Sequence, residues 1–227
     1  MTTTTSTAPP PTLPALLAAC LDPFLTLLYP PRCLLCRTMG ERDLCAACLA
    51  DIAALPPPSS GAGRALWAYE GRLREAIHHF KYRDRPQLAR PLGTLLAAAA
   101  QAQAAHFNGL LVDAIIPVPM HPARRRERGY NQSERLARVL AADLSLPLDT
   151  HSLRRVRPTR PQVGLSAEAR RTNLEGAFAV ARPEAVAGKT LLLVDDVSTT
   201  GSTIIECAAA LQAAGAGAVY ALTLAAG

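Results

Sequence analysis

Two neighbouring carboxylates followed by a hydroxyl-rich turn give this sequence its strongest chemical signal. Asp195 and Asp196 come directly after the apolar run 191–194, and the turn 198–203 (Ser-Thr-Thr-Gly-Ser-Thr) leads into a helical pattern. The free N–H groups and the dipole of a helix N-terminus attract an anion, and hydroxyl groups add further donors. Carboxylates repel phosphate, but they suit sugar hydroxyls or a Mg²⁺ ion that the ligand brings. The segment therefore predicts a site for a sugar phosphate.

Other phosphate-binding loops do not fit this segment. A nucleoside-triphosphate loop needs a lysine before its Ser or Thr, whereas Gly201 is followed by Ser202. A dinucleotide fingerprint needs several glycines, and the turn contains only Gly201. An ordinary strand-to-helix connection with a Thr or Ser cap is the remaining alternative, and the paired carboxylates favour the binding site over it.

Four of the six cysteines form two Cys-x-x-Cys pairs with eight residues between them: Cys33, Cys36, Cys45 and Cys48. Each pair directs two sulfurs at one point, so together they supply the four thiolates of a tetrahedral Zn²⁺ site. Two disulfides, a redox dithiol and an iron–sulfur cluster are the alternatives, and the spacing favours structural zinc. Because such a site has no open coordination position, we expect no reaction at the metal.

The composition is that of a globular protein with an uneven charge distribution. The chain has 227 residues, 49% hydrophobic residues and a formal net charge of +6. Between His121 and Arg171 there are 12 Arg against 5 acidic residues, which favours phosphate-rich ligands and is compatible with nucleic acid. The N-terminus lacks the basic start of a secretory signal and no apolar run reaches 18 residues, so we expect a cytoplasmic protein without a membrane span.

The chain divides into segments of different character. We predict a disordered tail over 1–12, an N-terminal helix and zinc-ribbon module over 13–55, a Pro/Ser/Gly linker over 56–64 and a main domain over 65–227. In the main domain, strand patterns at 66–69, 109–117, 189–194 and 217–224 alternate with helical patterns at 73–82, 87–106, 131–144 and 203–214.

This alternation predicts an α/β domain with a parallel sheet and helices on both faces. Ligands of such sheets bind at the carboxyl ends of strands. The proline-rich loop Pro117–His121 and the segment Asp195–Thr203 both follow strands, so we expect the two loops to share one site.

The segment Val194–Thr203 resembles the loop of type I phosphoribosyltransferases that binds phosphoribosyl pyrophosphate (PRPP). With its surroundings, the chain resembles one family among them, the ComF family associated with bacterial DNA uptake. The similarity runs from about Pro30 to Leu224, and the stretches that carry it are Cys33–Cys48, Leu73–Tyr82, Ile116–His121, Arg128–Gln132, Arg157–Ser166 and Arg170–Asn173. The resemblance implies a type I phosphoribosyltransferase fold with a small N-terminal Cys₄ zinc ribbon.

The resemblance also implies roles for individual residues. Asp195 and Asp196 would be the catalytic carboxylates that hold the ribose hydroxyls, and Mg²⁺ would accompany PRPP. The 5′-phosphate would bind to a turn whose members are Thr199, Thr200, Gly201, Ser202 and Thr203. The pyrophosphate side would be formed by Val118, Pro119, Arg124 and Arg128, since the forked guanidinium binds two oxygens at once. A solvated helix face is the alternative for the arginine run.

A mobile flap lies between the corresponding elements of this superfamily. Its candidate residues here are Thr159, Gln162, Arg171 and Asn173, and an ordinary surface excursion is the alternative. Three functions follow from the resemblance: a transferase that moves a phosphoribosyl group to an unidentified acceptor, a module that binds single-stranded DNA with competence-machinery proteins, and a sensor that binds PRPP without turnover.

Overall fold

The computed structural model describes residues 29–40, 43–58, 64–104, 111–159 and 167–227. The predicted tail over 1–12 and the predicted N-terminal helix lie outside these residues, as does most of the predicted linker. The chain divides into two compact units, residues 1–45 and 46–227, and each is described by itself below. Among the described residues, none of the helices is both long and apolar enough to cross a lipid bilayer.

The described part of the first unit is a small turn structure around the first cysteines. Arg32 and Met39 form an antiparallel bridge. Inside it, the backbone N–H of Cys33 donates to the carbonyl of Thr38 at 3.0 Å. Gly40 has φ +86°, a left-handed conformation that glycine adopts without strain. This tight loop brings Cys33 and Cys36 onto the same turn.

A four-stranded parallel sheet forms the centre of the second unit. Its strands are β1 (Arg64–Ala68), β2 (Ala114–Pro117), β5 (Thr190–Ser198) and β6 (Ala218–Ala226), in the order β1-β6-β5-β2. The central strand β5 is covered on both faces, since an exposure of at most 1% is found for four consecutive residues: Leu191, Leu192, Leu193 and Val194. The predicted α/β fold is therefore confirmed, and the strand that contains Trp67 lies at one edge of this sheet.

The helices of the second unit are α1 (Ala46–Ala53), α2 (Gly71–Tyr82), α3 (Ala89–Ala102), α4 (Pro122–Arg128), α5 (Gln132–Leu144), α6 (Ala167–Leu174) and α7 (Ser202–Ala213). Helix α7 packs on one sheet face, where Ile204, Cys207 and Leu211 join Leu191 and Leu193 in one hydrophobic cluster. Helix α5 packs against β2 and β5, and the period-two alternation of a strand places Leu192 and Val194 on the opposite face.

Close packing of α3 on α5 fixes the position of α5 on the sheet. Gly93 of α3 faces α5 at a distance that leaves no room for a side chain, since a Cβ there would lie 2.6 Å from the Cβ of Val139. Leu136 and Leu140 of α5 are fully buried. As a result the N-terminus of α5, rather than its side, is presented to the carboxyl edge of the sheet.

Three features differ from the sequence-based expectations. Strand β5 does not end at Val194 but continues through both aspartates to Ser198, because it stays paired with β6 up to Ala226. The arginine run forms the short helix α4 directly after the proline loop. Strands β3 (Leu153–Arg155) and β4 (Phe178–Val180) form a separate antiparallel pair that the patterns did not indicate, since three-residue strands are too short to show a period.

Candidate functional site

The two aspartates lie in the second half of β5 and differ in their surroundings. Asp196 is buried, and its Oδ1 atom lies 2.9 Å from the Nζ of Lys81 on α2. The side chains of this pair are 19% exposed for Lys81 and 8% for Asp196. Burial by itself lowers the pKa of Lys81, but the charges of Asp196 and Asp195 outweigh it and raise the pKa above its usual range. Lys81 therefore remains a cation within the site.

Asp195 is held by the start of α5 instead. The hydroxyl of Ser133 donates to Asp195 Oδ1 at 2.6 Å, and the backbone N–H of Asp196 donates to the same oxygen at 2.9 Å. Burial, followed by the adjacent charge of Asp196, raises the pKa of Asp195 to about 7. Asp195 is thus poised between its protonated and ionised forms near neutral pH, while Asp196 has a cationic partner.

The proline loop between β2 and α4 is fixed to this site by backbone and side-chain hydrogen bonds. The N–H of Val118 donates to the carbonyl of Val194 at 2.9 Å. Asn131 caps α5 by accepting from the N–H of Ser133 at 3.2 Å, and its Nδ2 donates to the carbonyl of Val118 at 3.0 Å. One asparagine therefore connects the loop after β2 with the helix start that holds Asp195.

The hydroxyl-rich turn leads from β5 into α7. Gly201, with φ +73°, is the N-cap of α7, and this left-handed conformation explains why the turn contains a glycine. The hydroxyls of Thr200 and Ser202 lie 2.7 Å apart in a mutual hydrogen bond. Thr199 is exposed, whereas Ser202 is buried. The start of a helix attracts anions because its first backbone N–H groups lack intrahelical acceptors; here the N–H of Ser202 donates to Thr200 Oγ1 at 3.5 Å.

A cavity of about 170 Å³ collects these elements. Its lining brings together Asp195, Asp196, Thr203, Val118, Pro119, Arg124 and Arg128 from the predicted site. It also contains Met120 and Val197 of the two predicted loops, the α5 cap Asn131, and four residues outside the predicted site: Lys81, Gln132, Ser133 and Arg155. The starts of α5 and α7 both contribute, so two helix N-termini direct positive potential at one cavity.

The arginines of α4 divide into two groups. Arg125 forms an ion pair with Glu134 at 3.1 Å and does not line this cavity. Arg128 Nη1 donates to Gln132 Oε1 at 2.9 Å, and its guanidinium lies 5.2 Å from the centre of the Tyr82 ring. Arg124 and Arg128 also line a second cavity of about 300 Å³ with Tyr82 and Asp84.

The predicted flap residues are only partly covered by the described chain. Thr159 accepts a hydrogen bond from Arg155 Nη2, and Asn173 lies within α6. Gln162 and the side chain of Arg171 lie outside the described residues. Neither Thr159 nor Asn173 lines the cavity, and the assignment of the four residues to a flap stays a prediction.

Four residues of the cavity were missed by the sequence reasoning: Lys81, Gln132, Ser133 and Arg155. A signal existed for Lys81, because the chain contains only two lysines among 24 basic residues and the other is Lys189. The patterns carry no corresponding signal for Ser133 or Arg155. Ser133 is an ordinary helix-start residue, and Arg155 stands among several arginines.

The four cysteines of the Cys-x-x-Cys pairs form one cluster, with their sulfurs all within 4.8 Å of one another. Four thiolates around Zn²⁺ lie about 3.8 Å apart, since each Zn–S bond is about 2.3 Å long. Hydrogen bonds from the hydroxyl and backbone N–H of Thr38, and from Cys45, lower the pKa of Cys36 to about 6. The described cysteines form no disulfide. Donor type, number and spacing therefore fit a closed structural zinc site.

Comparisons with known proteins agree with the structure for both the cysteine cluster and the α/β domain. Residues 24–61 match the model of the double zinc ribbon domain, and residues 128–227 match the phosphoribosyl transferase domain. The chain is 34% identical to the DNA utilization protein YhgH of Escherichia coli K12 over 220 residues, which cover 85% of this chain and 96% of the relative. It is 38% identical to competence protein F of Haemophilus influenzae over 140 residues, which cover 61% of each chain.

A weaker sequence match extends to competence protein ComFC of Bacillus subtilis, at 26% identity over 62% of this chain and 54% of the relative. Among solved structures, an allosteric regulatory enzyme of purine biosynthesis aligns with 65% of this chain and 30% of its own, at 21% identity and a TM-score of 0.44. The family membership rests on the sequence relatives and the domain models.

Proposed function

We propose a function on the premise that this chain belongs to the ComF family of phosphoribosyltransferase-like proteins with an N-terminal zinc ribbon. The proposed ligand is PRPP, bound in the cavity around Asp195 and Asp196. The observation that carries this proposal is the charge arrangement of that cavity, where a carboxylate pair lies between two helix N-termini and several arginines. Such a cavity suits a ligand with hydroxyl groups at its centre and phosphates on two sides.

The carboxylates have free oxygens for the ribose. Lys81, Ser133 and the backbone N–H of Asp196 all bind to Oδ1 atoms. The Oδ2 atoms of Asp195 and Asp196 then accept hydrogen bonds from the 2′- and 3′-hydroxyls. Mg²⁺ fits the same oxygens, because it prefers hard carboxylate ligands and usually arrives with a phosphate ligand. When bound, the ion neutralises charge on the pyrophosphate.

The remaining parts of PRPP are assigned to the two loops. The 5′-phosphate binds the turn Thr199–Thr203, where the N-terminus of α7 supplies backbone N–H groups and the turn supplies hydroxyls. The pyrophosphate faces Val118, Pro119, Arg124 and Arg128. Arginine suits this position because its guanidinium keeps its charge and binds two oxygens.

The proposed reaction is pentosyl transfer. A nitrogen nucleophile forms a bond to C1 of the ribose, the C1–O bond breaks, and pyrophosphate leaves with the electron pair while the nitrogen loses its proton. Positive charge develops on the ribose ring near Asp195 and Asp196, and negative charge grows on the leaving group near Arg124 and Arg128. The catalytic contribution of these residues is therefore electrostatic.

A second function, binding of single-stranded DNA during DNA uptake, is supported by a different surface. Helix α4 buries none of its residues and carries four arginines, and the neighbouring Tyr82 is 59% exposed. An exposed tyrosine beside arginines can stack on a base while the cations contact phosphates. The names of the relatives from Escherichia coli and Haemophilus influenzae refer to DNA utilization and competence, and the proposed partners are DNA and competence-machinery proteins.

Titration calorimetry with PRPP and Mg²⁺ tests the first function. We expect saturable binding by the wild type and at least a hundredfold loss in the variant Asp195→Ala with Asp196→Ala. The matched control is Glu175→Ala with Glu184→Ala, which removes two exposed acids outside the cavity and should leave binding unchanged. An assay for pyrophosphate release with a panel of nucleobases and amines then decides between transfer and binding without turnover.

The same protein tests the DNA function. Single-stranded oligonucleotide binding should weaken with rising salt and with Arg125→Ala and Arg126→Ala, while the double aspartate variant retains it. If the wild type does not bind PRPP but binds the oligonucleotide, the PRPP proposal is wrong and the DNA function stands.

A further inference from the structure

Two buried side-chain donors lack an acceptor among the described residues, and both belong to the same cavity. They are Gln132 Nε2 and Arg155 Nε, and both residues line the cavity of about 170 Å³ around Asp195. A buried donor without an acceptor costs about 1–3 kcal/mol, so such atoms are rare in folded proteins and commonly indicate a functional contact. Their occurrence in one cavity indicates a missing group with acceptor oxygens.

Arg155 reaches the cavity from β3, outside the parallel sheet. Its Nη2 donates to Thr159, and its guanidinium lies 5.5 Å from the centre of the Phe178 ring. Burial lowers the pKa of Arg155, and the charge of Arg124 adds to this effect. An arginine does not lose its proton under physiological conditions, so this cation needs an anion rather than the neutral partners it has.

Gln132 is 1% exposed and occupies the first position of α5. Its Oε1 accepts from Arg128 Nη1 at 2.9 Å. Because a guanidinium has donors only, the atom that faces Arg128 must be the amide oxygen, and the remaining atom is the NH₂ group. The amide orientation is thus fixed by Arg128, and the NH₂ group of Gln132, whose neighbour is the Tyr130 hydroxyl, has no acceptor in hydrogen-bond geometry among the described residues.

The charges of the cavity give the class of the acceptor. Lys81 is neutralised by Asp196 at 2.9 Å, whereas none of the ion pairs in the described chain includes Arg124, Arg128 or Arg155. The carboxyl of Asp195 lines the same cavity and offsets part of this positive charge. Three forked guanidinium groups and the amide of Gln132 still offer more donors than one phosphate can use at once, which favours an anion with several closely spaced oxygens, the chemistry of a diphosphate.

We propose that Arg155 and Gln132 form a diphosphate subsite and distinguish PRPP from ribose 5-phosphate. The inference rests on the proposed function, because the two donors adjoin the carboxylates that are assigned to the ribose. It adds residues from β3 and from the α5 N-terminus to the loop residues of the pyrophosphate side. Arg155 and Gln132 are binding residues here, and their effect is selective for ligands that carry the diphosphate.

The test compares three ligands by titration calorimetry in Mg²⁺ buffer: PRPP, inorganic diphosphate and ribose 5-phosphate. Arg155→Met keeps an unbranched apolar stem and removes the guanidinium charge, and Gln132→Met removes the amide. The matched control is Arg154→Met, since Arg154 is the exposed neighbour on the same strand. Arg155→Lys retains a cation and provides a milder variant if Arg155→Met does not fold.

We expect Arg155→Met to weaken PRPP and diphosphate binding about 10- to 100-fold, the range for a lost charge-assisted hydrogen bond. Gln132→Met should weaken the same two ligands about tenfold. Ribose 5-phosphate binding should stay within about twofold in both variants and in the control. Arg155→Lys should recover part of the loss.

Three results overturn the inference. The first is unchanged diphosphate binding in Arg155→Met and Arg155→Lys, and the second is an equal loss for all three ligands, which indicates a structural role. Displacement of bound diphosphate by an oligothymidylate that itself depends on Arg155 would assign the subsite to nucleic-acid phosphates instead, and this also overturns it. If the wild type binds diphosphate through Arg155 but binds neither PRPP nor ribose 5-phosphate, the proposed function fails while the subsite stands.

Discussion

The cysteine cluster and the carboxylate cavity are built in opposite ways. The cluster takes its four ligands from sixteen consecutive residues, Cys33 to Cys48, and the ligands are identical. The cavity takes its residues from segments as far apart as Lys81 and Thr203, and it mixes carboxylates, cations, hydroxyls and an amide. One arrangement is complete with a single ion, whereas the other keeps two donors without acceptors.

This difference in construction determines what each site can bind. Four thiolates saturate a tetrahedral metal, so the cluster has no open position and stabilises the fold. A cavity with unsatisfied donors and excess positive charge gains free energy only when a ligand enters. The same contrast decides what a sequence can show, because spacing specifies a local site and says little about partners that only the fold brings together.

The largest effect is expected from removing ligands of the cysteine cluster, which is a closed site because thiolates occupy every position around the metal. Cys33→Ser with Cys36→Ser should abolish zinc binding, since two of the four ligands are lost, and structural zinc contributes about 10–16 kcal/mol to small zinc-dependent folds. Plasma mass spectrometry should show a fall from about one zinc per chain to none. Circular dichroism and thermal unfolding should show a loss of stability.

The control for this experiment is Cys207→Ala, which removes a buried cysteine of α7 outside the cluster. It should keep full zinc content. Freshly purified wild type that contains iron or no metal would contradict the zinc assignment, and an unchanged zinc content in the double variant would contradict the ligand set.

An intermediate effect is expected from breaking the ion pair between Lys81 and Asp196 in the carboxylate cavity, which is an open site because it can admit a ligand. Asp196→Ala leaves Lys81 as a buried cation whose direct partner is lost, and this should lower the free energy of unfolding by about 3 kcal/mol. Lys81→Met combined with Asp196→Leu removes both charges and should cost much less, because no unpaired charge remains. Urea titration of the single and double variants measures the coupling.

If Asp196→Ala is no more destabilising than Asp196→Leu with Lys81→Met, the pair is not coupled. The contrast with the cysteine cluster would then change, because the carboxylates would be free of structural function and would serve the ligand alone.

Much of the fold could be predicted from the sequence, and the reason is physical. The unbroken apolar run Leu191–Val194 has the length of a buried strand, and the apolar positions of helix α5 repeat with the helical period. Both patterns follow from the need to bury these side chains, so the sequence shows them. The prediction was wrong about the end of β5, because pairing with β6 overrides the polar character of Asp195 and Asp196. Short elements such as β3 were not predicted, since three residues are too few to show a period.

The same distinction applies to the residues of the site, because local patterns indicate only some of them. Residues within a loop were indicated by their local pattern, as with Gly201 and its hydroxyl neighbours. Lys81, Ser133 and Arg155 act on the aspartates or the cavity across 40 or more positions of sequence. Such partners carry no local signature, because any lysine, serine or arginine at those positions is equally compatible with a solvent-exposed surface.

The smallest expected effect concerns Asp195, whose pKa is raised to about 7 by burial and by the charge of Asp196. Its pKa in the unfolded chain is about 3.9. Between these values the folded state binds the proton more tightly than the unfolded state, so stability from this residue is full below about pH 4 and is lost as the pH rises to about 7. Asparagine resembles the protonated carboxyl and does not titrate.

We therefore expect the unfolding temperature of Asp195→Asn, relative to wild type, to rise by about 5–10 °C between pH 5 and pH 8, since about two pKa units of the shift lie in this window at about 1.4 kcal/mol each and about 1 kcal/mol corresponds to about 2–4 °C for a chain of this size. Differential scanning fluorimetry at both pH values measures this. The exposed acid Glu184 provides the control, because Glu184→Gln should show no such pH-dependent difference. A variant that is less stable at pH 8 than at pH 5, relative to wild type, would mean that Asp195 is held ionised by Lys81. The carboxylate cavity would then already be electrostatically balanced without a ligand.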